Sequence, residues 1–199
     1  MNTQPRGKVT FEFHFRATCG RSWPRMMMLA NNMTMSNNEI TDQDTCVTLE
    51  LQDYAWDRAP NNISIAYFSK TERETVMRDG SIVADQSLEL VKVLADDILL
   101  EPWFWTDHCY YPDYFRGYLE QCPDAPKKIK SQLCWHFPGR FMLLNLPVYS
   151  EFWTWYHEQR TTRILKDLVD PTGQIKNNHR GLTNEDRELI KELKDTLYV

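Results

Sequence analysis

The chain has 199 residues, a formal net charge of −5, 42% hydrophobic and 13% aromatic residues, which excludes a disordered chain and suits one globular domain with an appendage. The acidic balance argues against a nucleic-acid partner, because that affinity rests on neutralising phosphates. No apolar run is long enough to span a bilayer, and the opening MNTQPRGKVTFEF lacks the apolar segment of a secretory signal, so the expected setting is a cytosol without a membrane partner.

Residues 1–7, polar with Pro5 and Gly7, read as an N-terminal arm. From Lys8 the chain alternates, with Val9, Phe11, Phe13 and Phe15 to one side and Thr10, Glu12, His14 and Arg16 to the other. Period two predicts a strand with one buried face, and His14 falls on its polar side with no ligand partner nearby in sequence. Arg25–Leu29 and Met33–Met35 flank Asn31 and Asn32, residues that tolerate the left-handed turn of a hairpin. Met26, Met27, Met28 and Met33 are read as adaptable core filler. Cys46–Leu51 alternates again, and Asp53–Arg58 is a turn-rich link.

The stretch from Asn62 to Pro102 organises the rest. Ile63, Ile65 and Tyr67 alternate with Ser64, Ala66 and Phe68; a polar excursion turns at Asp79-Gly80; the chain returns through Leu88, Leu90, Val91 and Val93 to Asp96-Asp97-Ile98-Leu99-Leu100. Two core strands joined by a long polar connection, with no crossover helix, point to an antiparallel β-sandwich. Glu101–Phe137 concentrates aromatic residues between prolines and reads as a folded insert between two core strands, with a short helix near Asp113–Gln121. Arg140–Leu146 closes the set of strands. Beyond Pro147 the period becomes helical through Tyr149, Phe152, Trp153, Tyr156, Ile164, Leu165 and Leu168. After a linker, Leu189, Ile190, Leu193 and Leu197 stripe a final helix that needs a partner to be stable. The expected domains are 1–7 as arm, 8–148 as sandwich with insert 101–138, and 149–199 as helical extension.

The Ser-Lys-Thr turn after Phe68, then Asp79-Gly80-Ser81-Ile82, Leu88-Glu89-Leu90 and Asp96-Asp97-Ile98, resembles the carbohydrate-binding-module-like sandwich proteins of tailed bacteriophages, marine myoviruses especially. Tyr110-Tyr111-Pro112-Asp113-Tyr114 is similar to a segment of that family, as are Gly139–Leu143 and Leu146–Trp153 to its closing strand. The likeness covers about residues 8–165. It implies a mainly β, jelly-roll-like fold and a virion protein assembled in a host cytoplasm.

Several sites compete. Trp103, Trp105, Tyr110, Tyr111, Tyr114 and Trp135 are the candidate protein interface or glycan platform, since aromatic faces stack on sugar rings and also fill interface centres. Asp79, Asp85, Asp96 and Asp97 offer oxygens to calcium, although turn aspartates are common for backbone reasons alone. His108, Cys109, Cys122, Cys134 and His136 lack the paired spacing of a zinc knuckle, and five cysteines make no disulfide framework. With no nucleophile elbow or phosphate-cradling loop, no enzyme activity and no cofactor are expected. The leading expectation is a structural or adaptor component of a phage particle that docks on other virion proteins or itself; the alternative is a glycan-binding module, and a small hydrolase stands third.

Overall fold

The computed structural model describes residues 8–41, 44–52, 61–130, 132–147 and 151–168. The N-terminal arm, the Asp53–Arg58 link and the stripe of Leu189, Ile190, Leu193 and Leu197 lie outside the described residues. The chain divides into two compact units, Met1–Phe152 and Trp153–Val199.

The first unit is an antiparallel β-sandwich. One sheet has the order β12-β8-β1-β4, built from Cys134–Trp135, Ser87–Ala95, Lys8–Thr18 and Thr45–Gln52, with β9 (Ile98–Leu99) paired to β8. The facing sheet runs β11-β10-β13-β5-β2-β3, from Ile129–Lys130, Cys109–Pro112, Gly139–Leu146, Asn61–Tyr67, Arg25–Ala30 and Met33–Glu39. Alternation decides which side chains go inward: Phe11, Phe13 and Phe15 are fully buried, as are Ile63, Ile65, Phe141 and Leu143. The sheets meet through aromatic rings, with Trp135 of one stacked on Tyr110 of the other at 4.9 Å and on Phe141 at 5.4 Å. A second cluster joins Phe11, Phe104 and Phe152, with Phe152 edge-on to Phe11 at 5.1 Å.

The tight hairpins form where asparagine or aspartate accepts a positive φ. Asn31 and Asn32 have φ of 46° and 66°, and Asp96 and Asp97 have φ of 46° and 65°. The second turn corrects the expectation of one strand running through Leu100: β8 ends at Ala95 and the chain reverses into β9. Between β1 and β8, His14 pairs with Lys92 and Phe15 with Leu90, so Val91 is the extra residue of a bulge that restores inward alternation.

Two other expectations gain detail. The polar connection after β5 holds a 3-10 turn, Glu72–Glu74, and a separate hairpin of β6 (Val76–Arg78) and β7 (Ser81–Ala84). The aromatic stretch lies between two core strands, as expected, but it also supplies strands to both sheets: β10 pairs with β13 inside one sheet and β12 pairs with β8 in the other. Its helices are α1 (Trp103–Thr106) and α2 (Arg116–Gln121). Met26 and Met28 are buried, but Met33 and Met35 are exposed on the edge strand β3, so only part of the methionine group fills the core. In the second unit α3, which begins at Phe152 and runs to Leu168, carries Trp153 edge-on to Tyr156 at 5.8 Å.

Candidate functional site

Three strands of the second sheet set a row of outward side chains. Ala66 of β5, Arg140 of β13 and Tyr111 of β10 stand opposite one another in register, while the neighbouring row, Ile65, Phe141 and Tyr110, points into the core. The small Ala66 leaves the floor of this row low. Phe68 continues β5 outward, and Asp113, Tyr114 and Phe115 follow β10, so the row opens into a groove of about 490 Å³. A second recess of about 490 Å³ adjoins it between Phe115, Tyr118, Phe137, Ile82 and His136. Phe115 and Lys70 border both, and also a third recess of about 470 Å³ beside Glu72 and Arg73.

The rings are held by each other. Phe137 packs against Tyr118 at 4.6 Å, Tyr114 at 4.8 Å and Phe115 at 5.7 Å, and the Tyr114 hydroxyl donates to the Pro126 carbonyl at 3.0 Å. Lys128 Nζ lies 6.0 Å from the Tyr111 ring centre. Gly139 is required here: a Cβ at this position would run into the Tyr111 carbonyl oxygen and lie 2.8 Å from Pro112 Cα, so β13 approaches β10 only without a side chain. Phe68 is 46% exposed, and Arg140 and Asp113 are exposed at the rim.

Beneath the groove lies a buried polar network. Lys70, 4% exposed, donates from Nζ to Asp85 Oδ1 at 2.6 Å and to the Gln86 carbonyl at 2.7 Å. Asp85 Oδ1 also accepts from Thr75 Oγ1 at 2.6 Å. Gln86 accepts from the Tyr67 hydroxyl at 2.9 Å and donates to the Ser22 carbonyl at 2.9 Å. Burial, and after it the charges of Asp85 and Glu74, pushes the Tyr67 phenol far up, so it stays a donor. His136 stands 3.6 Å from Cys134 Sγ and 3.5 Å from Asp85 Oδ2; the Cys134 contact first, against burial, and then Asp85 push its imidazole above the ordinary value. The network spans β5, the start of β8 and the hairpin segment, and it fixes the groove floor.

The structure separates the residues proposed from sequence. Tyr111 and Tyr114 lie on the groove. Trp105, Tyr110 and Trp135 are 5%, 1% and 0% exposed, so they present no face for a sugar or a partner and are withdrawn as platform residues. Trp103 is half-buried away from the groove lining, its indole N–H donating to Glu101 at 3.0 Å. Phe115, Tyr118 and Phe137 belong to the aromatic stretch but not to the six rings singled out from it, and Phe68 and Arg140 lie outside it. The outward parity of Phe68 in its strand is a usable signal, whereas Arg140 depends on the pairing of β13 with β5 and β10, and Phe115, Tyr118 and Phe137 on packing around α2.

The calcium set does not converge. Asp85 and Asp96 lie just beyond opposite ends of the nine-residue β8, roughly 35 Å apart at strand rise. Asp79 turns a different hairpin, and the Asp85 carboxylate is already engaged by Lys70 and Thr75. Cys134 and His136 are neighbours, but His108 belongs to a different environment: burial, with the Lys130 charge, lowers its pKa to about 4. All five cysteines are free thiols.

No protein-family model matches the chain, and no curated protein matches it. Among solved structures, a selenomethionine form of vCBM60, described with two families of calcium-dependent carbohydrate binding modules, is similar at TM-score 0.44 and 8% identity over 69% of this chain and 91% of that one. vCBM60 in complex with galactobiose is similar at TM-score 0.41 and 10% identity over 68% of this chain and 98% of that one. At this level of likeness nothing about a ligand is carried across.

Proposed function

We propose that the chain is a non-catalytic glycan-binding module whose ligand lies in the groove on the outer face of the second sheet. The observation that carries this is the convergence of Phe68, Tyr111 and Phe115 on an open groove of about 490 Å³ with Arg140 and Asp113 at its rim. Aromatic rings offer apolar faces to the C–H side of a pyranose, while a guanidinium and a carboxylate take its hydroxyls; the volume suits a short oligosaccharide. Phe137, packed against Tyr114, Phe115 and Tyr118, keeps that wall of the groove in place before binding, which limits the ordering cost. A glycan array probed with the whole chain tests the reading. Binding to a defined glycan class is expected, with loss in Phe68→Ala/Tyr111→Ala, whose circular dichroism stays that of the wild type. Array binding that survives this variant, or no binding to any glycan by the wild type, contradicts it.

A second reading, docking as an adaptor protein, is favoured by the β6–β7 hairpin, where Met77, Ile82 and Val83 are 56%, 62% and 54% exposed. The virion setting and its protein partners rest on the motif resemblance alone.

A further inference from the structure

On the opposite sheet, away from the groove, the outer face of β1 and β4 carries a group of a different kind. Glu12 and His14 are two apart on β1 and share its outward face, and Cys46 of β4 stands directly opposite His14 in register. One ligand atom from each lies within 4.8 Å of the other two. His14 Nε2 is 3.6 Å from Glu12 Oε2, and Cys46 Sγ is 3.9 Å from the same oxygen. His14 Nε2 is buried yet has no hydrogen-bond partner, a cost that a bound group would remove. The other ring nitrogen, Nδ1, faces Asp44 Oδ2 at 3.6 Å.

We infer that Glu12, His14 and Cys46 form a site for a borderline-soft divalent cation of the zinc class. One imidazole, one thiol and one carboxylate are the donor types zinc takes, and a tetrahedral ion at bond lengths of about 2.0–2.3 Å sets its ligands roughly 3.3–3.7 Å apart. The Glu12 oxygen is already 3.6 and 3.9 Å from the other two ligand atoms, and the third separation, within 4.8 Å, closes to that range by a movement of about 1 Å. Asp44 supplies the carboxylate that orients a metal-bound histidine through its second nitrogen, leaving Nε2 for the ion. Lys92, paired with His14 from β8, is the opposing charge on this face, set against the carboxylates of Glu12 and Asp44 and the thiolate that forms on binding. Three protein ligands leave a fourth position for water. Hard cations such as calcium or magnesium are disfavoured, because the site offers a sulfur and too few oxygens.

Cobalt(II) titration of the whole chain is the test, since a thiolate ligand gives cobalt a charge-transfer band that oxygen and nitrogen ligands do not. The expected result is one equivalent bound with that band, the band lost in Cys46→Ala, and affinity weakened about 10–100-fold in Asp44→Asn. Cys46 is exposed, so its replacement leaves the core intact, and Cys134→Ala serves as the control that keeps the band. A band that persists in Cys46→Ala or disappears in Cys134→Ala overturns the proposal. X-ray absorption on the zinc-loaded wild type needs no variant: one sulfur in the coordination shell is expected, and an all-nitrogen-and-oxygen shell, or no stoichiometric zinc, overturns it equally.

Discussion

Lys70 is the residue on which the groove floor depends. Its ammonium is buried and satisfied by Asp85 and the Gln86 carbonyl, so Lys70→Met would leave a carboxylate short of its charge partner. Breaking such a pair from one side costs more than the pair contributes, and because Asp85 keeps some solvent contact the expected loss is about 2–3 kcal/mol, measured by urea unfolding. His108 gives a pH signature. Its pKa of about 4 in the folded chain lies below the ordinary 6.5, so between those values the unfolded chain binds more protons and stability falls as the pH falls. The slope from this group is at most about 1.4 kcal/mol per pH unit, lessened by its partial exposure. Unfolding measured between pH 7 and 4.5 should show a shallower decline in His108→Gln than in the wild type; equal slopes would contradict the burial argument. Neither residue was legible beforehand, because a buried lysine and a depressed histidine are products of packing and have no local pattern.

Elements differ in how far the sequence discloses them. β1, β4 and β5 are long enough for period two to specify both strand and inward face, and Phe11, Val47 and Ile65 point inward as that pattern requires. The Asn31-Asn32 turn was legible for the same reason, since residue chemistry determines it locally. β10, β11 and β12 have four, two and two residues, too few for any period, and prolines around them look like loop. Their membership in the sheets comes from long-range pairing with β13 and β8. That is why Tyr110 and Trp135 appeared to be surface rings when they are the contact between sheets. Trp135→Ala should therefore act on the fold, costing about 3–5 kcal/mol through lost burial and a cavity. A variant that kept wild-type stability in chemical denaturation would return Trp135 to the list of surface candidates.

For the whole molecule, the two sheets place two different surfaces back to back: an aromatic groove on one outer face and a His–Cys–Glu group on the other. The sandwich itself was legible from alternation and turns, but both surfaces arise from residues gathered across strands, which a linear pattern does not show. The central claim is that the groove, and not the tryptophan-rich stretch before it, binds a glycan. Calorimetric titration of an array-selected oligosaccharide into wild type, Phe115→Ala and Trp103→Ala separates the two directly. Phe115 borders all three recesses, whereas Trp103 lines none of them. A ring that anchors a ligand typically contributes at least about 2 kcal/mol, roughly thirtyfold in affinity. The groove account predicts that loss for Phe115→Ala, with Trp103→Ala binding like the wild type. Binding abolished by Trp103→Ala and unchanged by Phe115→Ala would contradict it.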